Sequence, residues 1–130
     1  MENCVFCKII NRQLPGFIID ENDNVIVFLS RENHPLIVPK DHIKDIYELD
    51  EGTGHEIMNE LVKTAKAVKQ GLQCEGVYIT QANEAAAGQD VFHIHFHIYP
   101  RWQDQIMNQT ERVEEAERTT TLEKIKAQYK

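Results

Sequence analysis

The sequence lacks any apolar run of about 18 residues, the length that a membrane-spanning helix requires. It also lacks the basic start and apolar stretch that mark a secretory signal peptide. We therefore expect a cytoplasmic protein with no membrane partner. Basic residues are in deficit, 14 Lys and Arg against 21 Asp and Glu, for a formal net charge of −7. This balance argues against a nucleic-acid partner, but it leaves room for a local positive pocket that binds one phosphate group.

Cysteine is also scarce. Three cysteines among 130 residues are an odd count, which suits a reduced compartment better than a disulfide framework. Cys74 stands alone before a predicted strand, and we interpret it as a small, partly buried hydrophobic residue. The length predicts one domain spanning residues 1–130, large enough to bury a core, and no internal repeat indicates a second domain.

What the sequence does contain is a strict apolar–polar alternation over residues 91–101. Alternation of this kind predicts a strand, because successive side chains point to opposite faces. One face would bury four apolar residues in the core: Phe92, Ile94, Phe96 and Ile98. His93, His95 and His97 would project from the other face, with neighbours about 6.5–7 Å apart.

The simplest interpretation of the second face is an ordinary solvent-facing strand surface. Such a surface favours Thr, Lys, Glu and Ser, whereas here three of the six histidines of the chain occur at every second position. Histidine changes its charge near neutral pH and also ligates metals. The row therefore predicts a metal site, a catalytic site or both.

The remaining pattern predicts an α+β fold. Strands are expected at residues 17–20, 25–29, 34–40 and 76–81, the first two joined by a tight turn. A long helix is expected over residues 50–72, with an apolar stripe through Ile57, Leu61, Ala65, Val68 and Leu72 and with Gly71 near its end. His55 lies off that stripe and is expected on the surface. Residues 110–130 have weak helical periodicity and a high charge density, which predicts a marginal helix that depends on a partner surface.

Cys4 and Cys7 form a Cys-x-x-Cys pair near the start. Two thiolates at this spacing can close on one tetrahedral ion, as in many structural zinc sites, but the same spacing also serves redox chemistry. A redox pair would normally follow a strand of a βαβ unit, and nothing before Cys4 supplies one. His42 and one histidine of the row are the natural further ligands.

The same row also suits nucleophilic catalysis at phosphorus. A neutral imidazole on a rigid strand can attack a phosphoryl centre and form a phosphohistidine, splitting one difficult displacement into two easier ones. Donors must then face the non-bridging oxygens. Gly88 and Gln89 lie just upstream, His97 can donate when protonated, and His34 can orient the nucleophile from an adjacent strand.

Taken together, these residues resemble the histidine triad (HIT) family of nucleotide hydrolases and transferases. The triad His-φ-His-φ-His-φ-φ, with φ apolar, is similar to residues 93–99. The segments on either side of the triad, residues 87–91 and 100–101, also resemble the family. Residues 34–43 resemble its upstream block, and residues 4–10 resemble the start of its zinc-bearing branch. The resemblance covers about residues 4–101 and leaves 102–130 as an extension. It implies a five-stranded, mainly antiparallel sheet with one long helix and a C-terminal helix, usually as a homodimer.

The resemblance also implies a role for each site residue. His95 aligns with the family's nucleophile, and His97 and His34 align with the histidines that support it. The positions of substrate or phosphate contacts are Gln89, Gly88, Asn83 and Ser30. The ligands of one structural Zn²⁺ per chain are Cys4, Cys7, His42 and His93, and these four ligands leave no open position for a metal-bound water.

Two departures from the family pattern concern recognition. The loop after Leu29 is about four residues shorter than in many relatives, and Ser30 stands where they carry a ribose-binding Asp. Glu84 occupies a position that is commonly Gly. The resemblance implies an enzyme that cleaves nucleotidyl phosphoramidates or dinucleoside polyphosphates. It implies a purine nucleotide as substrate and a covalent nucleotidyl-histidine as intermediate. The alternative is a zinc-stabilised nucleotide-binding or scaffold protein with little turnover.

Overall fold

A computed structural model describes residues 3–103 and 114–129. The elements follow in this order: α1 (Val5–Ile10), β1 (Phe17–Glu21), β2 (Val25–Leu29), β3 (Pro35–Pro39), α2 (Glu51–Leu72), β4 (Gly76–Thr80), β5 (Phe96–Arg101) and α3 (Glu115–Lys126). Single turns of 3-10 helix cover Ile46–Glu48 and Ala85–Ala87. Within these residues, the predicted strands and the long helix are all present.

The five strands of the described residues form one sheet in the order β1-β2-β3-β5-β4, with every neighbouring pair antiparallel. The predicted α+β class with a five-stranded antiparallel sheet is therefore confirmed. β2 and β3 are buried along their whole length because helices cover both faces of the sheet.

The two faces of the sheet pack against different helices. Val25, Val27 and Leu29 share one cluster with the apolar stripe of α2, and the alternate positions of β2, Ile26 and Phe28, pack with α1. The predicted stripe of α2 does face this core, and Asp50 caps the helix by accepting from the Thr53 N–H at 3.1 Å. His55 is exposed, as predicted.

α3 docks on its own chain, against α2 and β1, with Ile125 and Thr121 buried. Gly71 makes this close packing possible, since a Cβ at that position would lie 2.5 Å from the Lys124 carbonyl oxygen. Gly71 lies one residue before the end of α2, close to where the sequence predicts the helix to end. Gln73 caps the helix in the left-handed region, at φ 52°. The part of the predicted C-terminal helix over residues 110–113 lies outside the described residues.

The histidine row is only partly a strand. β5 begins at Phe96, so His93 and His95 lie in an irregular segment before it. Phe92, expected in the core, is 46% exposed, whereas Ile94 and Ile98 are buried. The prediction for Phe92 is wrong because residues 91–95 do not pair with a neighbouring strand. Their backbone is held instead by isolated hydrogen bonds, such as the 2.7 Å bond from the Ile94 N–H to the Ile43 carbonyl. Among the described helices, none combines the length and apolar character needed to cross a membrane.

Candidate active site and metal centre

Four side chains from three parts of the chain form a compact cluster of metal-ligand type. Cys4 and Cys7 lie at the start of α1, His42 follows β3, and His93 precedes β5. One ligand atom from each lies within 4.8 Å of all the others. The predicted ligand set is therefore brought together and forms a possible metal site.

The interatomic spacings fit a tetrahedral ion. The Cys7 Sγ lies 3.3 Å from the His42 Nδ1 and 3.5 Å from the His93 Nδ1, and the Cys4 Sγ lies 3.4 Å from the His93 Nδ1. Zinc bonds of 2.3 Å to sulfur and about 2.05 Å to nitrogen at a tetrahedral angle give an S···N separation of about 3.6 Å. The donor set and its spacing therefore suit Zn²⁺.

The protonation of His93 also suits ligation. Its Nε2 lies 2.7 Å from the Pro39 carbonyl oxygen, which only accepts, so Nε2 carries the proton and Nδ1 presents a lone pair toward the sulfurs. Burial lowers the pKa of His93 to about 4, which keeps the ring neutral. Burial and the adjacent Cys4 raise the pKa of the Cys7 thiol to about 11, so a thiolate here requires a cation beside it.

His95 has the opposite arrangement. Its Nδ1 donates to the His93 carbonyl oxygen at 2.8 Å, so the unprotonated nitrogen is Nε2. The nearest charged oxygen, Asp90 Oδ1, lies 3.7 Å from that nitrogen, beyond hydrogen-bond distance. The Phe6 ring packs edge-on at 5.0 Å, and burial lowers the pKa of His95, so a neutral ring is held in place.

His97 and His34 are joined directly. The His34 Nε2 lies 2.8 Å from the His97 Nδ1, and the His34 Nδ1 lies 3.0 Å from the Ser30 Oγ. Burial, followed by repulsion from His97, lowers the pKa of His34 to about 3, and burial lowers that of His97 to about 4. Both rings are therefore neutral at physiological pH, and the His95 and His97 rings lie 4.9 Å apart.

His95 and His97 open into a cavity of about 410 Å³, within the usual range for a small-molecule site. The apolar part of the lining comes from α1, from Leu14 and Pro15 and from Phe28 and Leu36. The polar part comes from Ser30, Arg31, Glu32, Asp90 and Arg118. A lining that combines apolar and polar side chains suits an aromatic ligand with a polar or charged end.

Of the predicted substrate and phosphate residues, Ser30 lines this cavity, whereas Gln89, Gly88 and Asn83 are not part of its lining and lie in a tight loop before the histidine row. Gln89 is buried, its Oε1 accepts from the Glu84 N–H at 2.6 Å, and its Nε2 donates to the carbonyls of Lys44 and Val91. The Asn83 Oδ1 accepts from the Ile46 N–H at 2.8 Å. These side chains therefore hold the loop in shape.

Two positions of this loop have positive φ. Gly88 has φ 98°, a conformation that favours glycine. Glu84 has φ 74° although it carries a Cβ. Its carboxylate accepts from the Tyr47 hydroxyl at 3.2 Å. The departure from Gly noted in the sequence is therefore accommodated without losing the turn.

Sequence reasoning missed two residues of this region. Arg118 of α3 donates from Nε to the Ser30 carbonyl oxygen at 3.0 Å, and its guanidinium lies 4.0 Å from the centre of the Phe17 ring. The Tyr99 hydroxyl lies 3.3 Å from the His97 Nδ1. No sequence signal marks Arg118, but Tyr99 shares the alternation of β5 with His97 and could have been placed beside it.

Comparisons with known proteins agree with this geometry. The HIT domain model matches residues 11–104. The chain is 35% identical to Protein hit of Bacillus subtilis, over 78% of this chain and 72% of that protein. It is 30% identical to the adenosine 5'-monophosphoramidase of Saccharomyces cerevisiae, over 75% of this chain and 62% of that protein.

Solved structures extend the likeness. A HIT-like protein from Bartonella henselae superposes with a TM-score of 0.92 at 31% identity, covering 98% of this chain and 97% of that one. A Zn-bound histidine triad family protein from Mycobacterium smegmatis has a TM-score of 0.85 at 29% identity, covering 98% and 95%. With the triad, its cavity and the domain match in agreement, the chain belongs to the HIT domain family.

Proposed function

We propose that this chain is a nucleotidyl hydrolase or transferase that cleaves nucleotidyl phosphoramidates or dinucleoside polyphosphates through His95. The observation that carries the proposal is the His95 ring. Its Nδ1–H is fixed on the His93 carbonyl, and its Nε2 lone pair remains available beside the cavity. A neutral, oriented imidazole is what attack on phosphorus requires. The phosphoramidase activity named for the yeast relative supports this substrate class.

The reaction then has two displacements. The His95 Nε2 forms a bond to the α-phosphorus as the bond to the leaving amine or phosphate breaks, and the leaving group takes up a proton from solvent. Water next attacks the nucleotidyl-histidine, the N–P bond breaks, one water proton returns to solvent, and a nucleoside monophosphate is released with the neutral imidazole restored. His97, on the same cavity, stabilises the phosphoryl oxygens, and His34 supports His97.

For the loop of residues 83–89, we propose that phosphate contacts come from the main chain of Gly88 and Gln89. The side chains of Gln89 and Asn83 make loop hydrogen bonds, which support a role in shaping the phosphate-side turn. Ser30 is expected at the ribose side of the cavity. The apolar residues of the cavity lining support a purine nucleotide as substrate.

We propose one structural Zn²⁺ per chain on Cys4, Cys7, His42 and His93. When bound, this ion supplies a cross-link between α1, the end of β3 and the triad segment, and its four protein ligands leave no position for a reacting water. The chemistry therefore belongs to His95, two residues from the ligand His93.

We further propose a cytoplasmic homodimer. β4 is an edge strand of the sheet, and Tyr78 and Ile79 on it are exposed, as are Met58 and Val62 on α2. An exposed edge strand that carries apolar side chains favours pairing with a second chain.

The alternative is a nucleotide-binding or scaffold protein with little turnover, favoured by Ser30 in place of a carboxylate on the cavity wall. Turnover of an adenosine phosphoramidate by the wild type and by His95→Ala separates the two. The proposal predicts a loss of at least about 10⁴-fold in kcat for the variant, in the range seen when a nucleophile is removed.

His55→Ala is the matched control, because His55 is exposed on α2 and should leave turnover unchanged. Undiminished turnover by His95→Ala would exclude His95 as the nucleophile. Tight binding of AMP by a wild-type protein that hydrolyses nothing would instead support the binding protein.

A further inference from the structure

Ser30 is the only serine of the chain, and it is buried at the end of β2 beside His34. Its hydroxyl oxygen lies 3.2 Å from the main-chain N of Glu32, 3.3 Å from the main-chain N of His34 and 3.0 Å from the His34 Nδ1. Main-chain N–H groups only donate, so both lone pairs of the hydroxyl are occupied. Among the described residues, the one remaining partner for its hydrogen is the His34 Nδ1.

This assignment fixes the next ring. If the His34 Nδ1 accepts, a neutral His34 carries its proton on Nε2, which then donates to the His97 Nδ1 at 2.8 Å. The Tyr99 hydroxyl, 3.3 Å from the same nitrogen, is a second donor to it. The His97 proton must therefore lie on Nε2, the ring nitrogen that these partners leave for the cavity.

Resting on the function proposed above, we propose that Ser30 is a positioning residue that sets the tautomers of His34 and His97. Through it, His97 presents an Nε2–H donor while His95 presents an Nε2 lone pair. The two neighbouring imidazoles thereby carry complementary roles toward one phosphoryl group without either being charged. Ser30 then acts on the reaction through His34, and direct contact with the ribose is not its main role.

The surroundings hold this relay in place. Arg118 of α3 donates to the carbonyl oxygens of Ser30 and Leu29 at 3.0 and 3.3 Å, which fixes the main chain at the start of the relay. Among the described residues, the groups around His34 are Ser30, His97, Tyr99, the main chain of Glu32 and, through their charge, Arg101 and His95. Positive charge on His97, Arg101 or His95 disfavours a protonated His34 ring, whereas the Glu32 main chain favours it.

Long-range ¹H–¹⁵N correlations of the histidine rings in the wild-type protein test the proposal without reference to activity. The proposal predicts Nε2–H tautomers for both His34 and His97 and an Nδ1–H tautomer for His95. A proton on the His34 Nδ1 would overturn the proposal, even in a fully active enzyme. The predicted tautomers in a protein that hydrolyses no nucleotide would instead count against the proposed function alone.

Variants of Ser30 provide the kinetic test. Ser30→Ala should lower kcat about three- to ten-fold, the value of one hydrogen bond, with KM close to that of the wild type. Its His34 ring should no longer show a single tautomer. Ser30→Thr keeps a hydroxyl and should restore both readouts. Thr119→Ala is the matched control, since it removes an exposed hydroxyl that bonds within α3.

Two results from Ser30→Ala, one kinetic and one spectroscopic, would overturn the proposal. A Ser30→Ala variant with raised KM and unchanged kcat would make Ser30 a substrate ligand. A variant with unchanged tautomers at His34 and His97 would show that other groups set them.

Discussion

His93 and His95 are two residues apart, yet their partners fix opposite ring nitrogens. The Pro39 carbonyl accepts from the Nε2–H of His93 and leaves Nδ1 facing the cysteines, whereas the His93 carbonyl accepts from the Nδ1–H of His95 and leaves Nε2 beside the cavity. Identical side chains therefore present different ring nitrogens because each is bound to a single carbonyl group. The sequence pattern marks all three histidines, but it cannot assign these tautomers, because the carbonyls belong to distant or irregular segments.

Glu60 gives a prediction at the scale of one residue. It is buried on α2, and among the described residues no group hydrogen-bonds to its Oε2. Burial, and then repulsion from Asp20, raises its pKa. A raised folded-state pKa means that this group favours the fold most at low pH and that stability falls as the pH rises through that pKa.

Glu60→Gln should therefore raise the Tm at pH 7 relative to the wild type, and the difference should shrink as the pH falls toward 5. Thermal unfolding across this range measures the effect. Glu123→Gln, at an exposed position of α3, is the control and should show little change. A lower Tm for Glu60→Gln at neutral pH would show that the carboxylate is stabilising in its buried site.

At the scale of elements, the close packing of α3 against α2 depends on Gly71. In an ordinary helix, Gly71→Ala would stabilise by about 1 kcal/mol. Here the added Cβ meets the Lys124 carbonyl at 2.5 Å, and overpacking of this kind costs about 1–3 kcal/mol. The clash should therefore dominate, giving a lower urea midpoint for Gly71→Ala.

Gly76→Ala is the matched control, because a Cβ there meets nothing within 4 Å. It should leave the midpoint nearly unchanged. A gain in stability for Gly71→Ala would mean that α3 moves away from α2 at little cost.

The N-terminal element gives a third prediction. Metal removal or Cys4→Ser should lower the Tm, because the cluster joins α1 to His42 and His93, but part of the activity should remain since His95 is not a ligand. Calorimetry, zinc content and turnover measure the three effects. Cys74→Ala, which removes a buried thiol outside the cluster, should keep its zinc. A Cys4→Ser protein with normal zinc and an unchanged Tm would contradict the proposed ligand set.

Across the whole molecule, periodicity predicted most strands and the long helix, because it is a local signal. The five-stranded antiparallel sheet and the choice of His93 as the fourth ligand came from the resemblance to the HIT family, because no local pattern joins Cys4 and Cys7 to His42 and His93. The sequence did not predict that Phe92 is exposed. The apolar–polar alternation continues through Phe92, but the backbone there does not pair with another strand, so the alternation does not direct its side chain into the core. Arg118 was missed because its role depends on α3 folding back onto β1, which no local pattern encodes. The internal bonding of Gln89 likewise depends on Lys44, far away in sequence.

The proposed dimer is also a property of the whole molecule. Ile79→Glu places a charge on the exposed edge strand and should convert a dimer to a monomer in light scattering coupled to size exclusion. Leu14→Glu, at an exposed apolar position outside the edge strand, is the control. A wild-type protein that is monomeric at all concentrations would contradict the dimer.

The most direct test of the central claim is to trap the intermediate. Rapid denaturing quench of the wild-type protein during turnover of an adenosine phosphoramidate, followed by peptide mass spectrometry, should find a nucleotidyl group on His95 and none in His95→Ala. An adduct on another residue, or turnover that persists in His95→Ala, would contradict the account.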